Sequence, residues 1–125
     1  MAVTVAVDKY QDILDSRDII ARITELEQWA EESPEDVSDG EREELVILTA
    51  LVEEASGSPD WEYGETLIRD SYFREYAKQL ADDIGAVPDD TRWPLTHIDW
   101  EAAARELRYD YFAVDFDGVT YWIRN

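Results

Sequence analysis

The stretch Phe112-Ala113-Val114-Asp115-Phe116-Asp117-Gly118-Val119-Thr120-Tyr121-Trp122-Ile123 decides the fold class. Two runs of β-branched and aromatic residues flank Asp117-Gly118, the dipeptide that suits a two-residue type I′ turn because both central positions need positive φ. That turn fixes the register, opposing Phe116 to Val119, Val114 to Tyr121 and Phe112 to Ile123 on one apolar face. Trp122 falls on the other face, beside Ala113 and Tyr111. A helix covers that face too, or Trp122 and Tyr111 form an apolar patch for a partner or a second copy of the chain.

Upstream the periodicity becomes helical. Ile19, Ile20, Ile23, Leu26, Trp29 and Ala30 recur at helical spacing after Asp15-Ser16, which can cap a first turn, and Ser33-Pro34 ends the run. A second helix is expected after Ser38-Asp39-Gly40, with Leu45, Leu48, Leu51, Val52 and Ala55 inward. Val46-Ile47 widens its apolar arc enough to suggest a central position. Ser56-Gly57-Ser58-Pro59 breaks the chain. Trp61-Glu62-Tyr63-Gly64 then leads into a third helix, capped near Asp70 or Ser71 and carrying Tyr72, Tyr76, Leu80 and Ile84, with Gly85 as its left-handed terminator. Asp99 caps a short fourth helix holding Trp100, Ala103, Ala104 and Leu107. The expectation is therefore an α+β protein, mainly helical, whose C-terminal antiparallel hairpin packs on the third and fourth helices. An acidic helical region (1–58) precedes an α+β region (59–125).

The chain has 125 residues, 31 acidic and 11 basic, for a net charge of −20, yet 45% of it is hydrophobic. That combination allows a real core inside a carboxylate surface, unlike an acidic disordered tail. Such a surface repels a phosphate backbone and an anionic membrane, so neither nucleic acid nor membrane is an expected partner. Cysteine is absent, which removes disulfides, thiolate metal sites and thiol nucleophiles. The N-terminus lacks a basic leader before Asp8, and no stretch is long enough to span a bilayer, so a cytoplasmic location is expected.

The charge is unevenly shared. Residues 1–60 hold 17 acids and 4 bases, and residues 61–125 hold 14 acids and 7 bases. Asp18, Glu25 and Glu32 lie seven apart, along one helix face. Asp36, Glu43 and Glu44 gather about the start of the second helix, and Asp82, Asp83, Asp89 and Asp90 about the end of the third. A compact chain of this length is roughly 35 Å across, and duplex DNA carries about 20 phosphates over that length. A protein with its carboxylates spread over such a surface can occupy a basic DNA-binding groove. Solvated faces, helix-dipole complementation and adaptation to salt produce acid-rich surfaces as well.

Catalytic and metal-binding patterns are thin. His97 is the only histidine, and beside Asp99 it reads as structural. Asp82-Asp83 and Asp89-Asp90 lack the alternating acids and terminal Glu of a calcium loop. There is no glycine-rich phosphate loop and no nucleophile elbow. No cofactor, no metal and no enzymatic activity are expected.

The run Tyr72-Phe73-Arg74-Glu75-Tyr76-Ala77-Lys78-Gln79-Leu80-Ala81-Asp82-Asp83-Ile84-Gly85, followed by Trp93-Pro94 and by Ile98-Asp99-Trp100-Glu101-Ala102-Ala103-Ala104-Arg105-Glu106-Leu107, resembles the C-terminal part of ArdA-type antirestriction proteins. Asp110-Tyr111 through Tyr121 extends the likeness, which covers roughly residues 60–124. It implies an acidic, non-catalytic mimic of B-form DNA from a phage or mobile element. Such a protein fills the basic DNA-binding surface of a host defence enzyme, typically a type I restriction–modification enzyme, often as a homodimer. Family members carry an additional N-terminal domain, whereas residues 1–58 lie outside the resemblance. An acidic interaction or regulatory module is the competing expectation, as is inhibition of another nucleic-acid-binding complex such as a CRISPR effector.

Overall fold

The computed structural model describes residues 7–88, 90, 92–94 and 96–124. Its elements are β1 (Ile13–Asp15), α1 (Ser16–Glu32), α2 (Asp39–Glu54), the single turn α3 (Trp61–Gly64), β2 (Thr66–Arg69), α4 (Phe73–Asp83), α5 (Trp100–Leu107), β3 (Tyr111–Phe116) and β4 (Val119–Arg124). The four strands form one antiparallel sheet in the order β1-β2-β4-β3. The class is α+β, as the sequence predicts.

The hairpin has the expected register: Phe116 opposes Val119, Val114 opposes Tyr121 and Phe112 opposes Ile123. Asp117 (φ 50°) and Gly118 (φ 85°) both take the left-handed geometry that the two-residue turn requires. The local helix signals hold as well. The Asp15 side chain caps α1 by accepting from the Arg17 amide at 2.9 Å. Ser38 and Glu41 cap α2 reciprocally, each side chain accepting from the other's amide at 3.1 Å. Gly85 (φ 75°) ends α4, with the Gly85 amide on the Asp82 carbonyl and the Ala86 amide on the Ala81 carbonyl. The Asp99 side chain accepts from the Ala102 amide to start α5.

The packing departs from expectation in four ways. Two strands were not foreseen. Trp61–Gly64 leads into β2, not into a helix, and α4 starts only at Phe73, after a 3₁₀ turn at Asp70–Tyr72 and without a side-chain cap. The apolar face of the hairpin lies on α1 and α2: Val114, Phe116, Tyr121 and Ile123 share one core with Ile19, Leu26, Leu48, Leu51 and Leu67. The helices on which the hairpin was expected to pack, α4 and α5, do lie on it, over its reverse face, where Ile68 and Tyr111 pack with Phe73, Ala77 and Ala104, and Trp122 lies against them. Finally, Val46 is 69% exposed, so α2 is an outer layer with one open side, and Ile84, 70% exposed, lies past the end of the α4 stripe.

Residues on the two sides of Ser56–Pro59 therefore share a sheet and a core. Ser16, fully buried, fastens this junction. Its hydroxyl donates to the Trp61 carbonyl at 2.7 Å and accepts from the Glu65 amide at 2.6 Å, while its own amide donates to the Glu65 carbonyl at 2.9 Å.

Candidate acidic surface

The layered fold sorts the expected acidic residues into two groups. The first lies on the seam between α1 and α2, whose centre is Arg22. Its guanidinium donates to Glu25 at 2.6 Å and to both carboxylate oxygens of Glu44, at 2.7 and 2.9 Å, and lies 5.6 Å from the Trp29 ring centre. All three charged side chains are at least two-thirds shielded from solvent. The Glu44 fork is the main reason the Arg22 pKa is raised further. Glu25 and Glu44 are thus committed to helix packing, and half-buried Asp18 lies on the same stripe. Of the three acids spaced seven apart, Asp18 and Glu25 thus follow the seam, and Glu32, at the end of α1, is open.

The second group is open. Glu32, Asp36, Glu43, Asp82, Asp83 and Asp90 are exposed. Asp89 lies outside the described residues. Around the connection from α1 to α2, Glu27, Glu31, Glu35 and Asp39 are exposed too. Arg42 at this end is turned to the Pro34 carbonyl (2.8 Å) and, more loosely, to Asp39 (3.5 Å).

The positions of these acids along their helices carry more information than their number. α1 ends on Glu31-Glu32, α2 on Glu53-Glu54 and α4 on Asp82-Asp83, and none of the three last turns contains a basic residue. Carbonyls at a helix C-terminus already carry partial negative charge, so each such acid is unfavourable by about 0.3–1 kcal/mol where exposed. Complementing the helix dipole accounts for Asp18, Asp39 and Glu41 in first turns; it runs the wrong way for the three terminal pairs. Each pair was readable in the sequence just ahead of Ser-Pro, Ala-Ser-Gly or Ile-Gly. The Arg22–Glu44 contact was not, because it joins two helices.

A cavity of about 350 Å³ opens beside this surface, lined by Asp8, Lys9, Tyr10, Glu43, Glu44, Asp117 and the apolar Val7, Ile47 and Phe116. Lys9 occupies part of it, with its ammonium 3.3 Å from Asp117. Among the described residues no group of three or more metal-ligating side chains converges. His97 is exposed, and its backbone amide donates to the Pro94 carbonyl at 3.0 Å. No described helix is long and apolar enough to cross a membrane.

The aromatic pair Trp122 and Tyr111 is under helices. Tyr111 meets the Phe73 ring edge-on at 5.2 Å and its hydroxyl lies 3.2 Å from that of Tyr76. Trp122 donates its indole N–H to Asp70 at 2.9 Å. Of the two outcomes for this face, coverage by helices is the one observed, and the open patch is withdrawn. No protein-family model, curated protein or solved structure matches the chain.

Proposed function

We propose that this chain is an acidic DNA mimic that inhibits a DNA-binding defence enzyme in the host cytoplasm, with a type I restriction–modification enzyme as the favoured target. The observation that carries the reading is the set of acidic pairs at the C-terminal ends of α1, α2 and α4. Charge held where it lowers helix stability is charge retained for another purpose. The net charge of −20 is close to the ~20 phosphates on a comparable length of duplex, and the likeness of residues 60–124 to antirestriction proteins points the same way. The role is collective and electrostatic: the open carboxylates occupy a basic groove and gain from the counterion release that favours DNA there. No step of catalysis is involved.

The test is simultaneous neutralisation of Glu31, Glu32, Glu43, Glu53, Asp82 and Asp83 to their amides. The variant is expected to fold with equal or greater stability and to lose inhibition of DNA cleavage by the target enzyme. Full inhibition by the folded variant sinks the reading. Salt-sensitive binding to a basic protein that duplex DNA does not displace would replace mimicry by a plain acidic interaction module.

A further inference from the structure

On the opposite side of the sheet one cleft inverts the local charge balance. Arg74 of α4, Arg105 of α5 and Arg108 just after it line a cleft of about 340 Å³ with Asp70, Ser71, Glu101 and Ala104. Three of the chain's eleven basic residues thus meet two acids, in a protein where acids outnumber bases almost three to one. The two carboxylates do not close on the guanidiniums: Arg74 to Glu101 is 3.7 Å and Arg108 to Asp70 is 3.9 Å, against 2.6 and 2.7 Å for the Arg22 pairs. Arg105 has no ion pair among the described residues. Arg108 is held in place from behind, its guanidinium 5.5 Å from the Phe73 ring centre and 5.6 Å from that of Trp122. The indole N–H of Trp122 in turn anchors Asp70.

We propose that this cleft is an oxyanion site for a phosphoryl group, with Arg74, Arg105 and Arg108 supplying charge and Ser71 a hydroxyl donor. A compact dianion with three terminal oxygens can meet three guanidinium forks at once, which a single carboxylate cannot. Glu101, well exposed and 3.7 Å from Arg74, can swing aside as the anion enters, while Asp70 stays on the Trp122 indole and leaves Arg108 at 3.9 Å. The site lies on the α4–α5 layer and does not depend on the mimicry reading. The phosphoryl group comes either as free phosphate or on a modified polypeptide.

The test is a titration of ¹⁵N-labelled protein, following backbone amides and arginine side-chain N–H signals. One arm uses inorganic phosphate, the other a phosphoserine peptide with neutral flanking residues. Saturable shifts confined to Ser71, Arg74, Arg105 and Arg108 are expected. Binding should weaken about tenfold or more in Arg105→Gln, as loss of a charge-assisted contact implies. Arg42→Gln, far along the chain on α2, should leave it unchanged. Saturation with phosphate identifies the free ion as sufficient, and saturation with the peptide alone assigns the source to a polypeptide. Absence of saturation in both arms, or equal affinity in Arg105→Gln, overturns the proposal. Arg105 is exposed, so its replacement tests binding without removing core packing.

Discussion

At the scale of single residues, the firmest structural feature is a buried tyrosine. Tyr121 is fully buried, and its hydroxyl donates to the Gln11 carbonyl at 2.6 Å. Burial pushes its pKa from 10.0 up to about 12. Tyr111 is pushed up as well, by burial and then by the Tyr76 hydroxyl. A folded-state value above the unfolded one means that the neutral phenol favours folding. Its contribution is complete below pH 10 and disappears as the pH climbs through 12. Urea unfolding at pH 8, 10 and 11.5 is expected to give a stability that holds between the first two and drops at the third. Tyr121→Phe should shrink that drop; an unchanged alkaline profile in the variant would dissociate it from this residue. The inward position of Tyr121 was legible from hairpin register alone. Its hydroxyl partner was not, because Gln11 lies at the other end of the chain and gives no local signal.

At the scale of elements, legibility followed local determination. The hairpin, the caps of α1, α2 and α5, and the glycine end of α4 are each set by a few neighbouring residues, and each was readable. The reciprocal cap of α2 gives a direct check. Ser38→Ala should cost about 1 kcal/mol in chemical denaturation, with Ser38→Asn close to neutral. Equal stability of Ser38→Ala and the parent would mean that the first turn of α2 is held by packing alone. The short strands β1 and β2 escaped notice for a physical reason. β2 lies between the two helical layers, so adjacent Leu67 and Ile68 are both buried, one in each core. A strand buried on both faces shows no alternation, and four residues are too few to separate it from a helix start. β1 is shorter still, with Ile13 43% exposed.

For the whole molecule, the charge total was fully legible and its distribution was not. Which carboxylates are open and which are bound to Arg22 depends on how α1 meets α2. A net charge of −20 on a chain of this size also opposes compaction by self-repulsion. Raising sodium chloride from about 0.02 M to about 0.3 M shortens the screening length several-fold. Stability in urea should therefore rise over that range, and rise less in the six-fold neutralised variant. Equal salt dependence of the two proteins would show that the repulsion lies elsewhere than at these six positions. The sheet order β1-β2-β4-β3 also bears on which edge is open while the sheet assembles. The β3–β4 hairpin closes across a two-residue turn and can form within microseconds. β2 joins it along β4, and among the described residues the other edge of β2 is covered when β1 pairs with it. Until then Leu67 and Ile68 sit on an open strand edge, the kind of surface through which half-folded chains pair with one another. The three residues of β1 thus act as a cover strip: a short, half-exposed strand takes the outer position in place of one that carries two buried apolar residues.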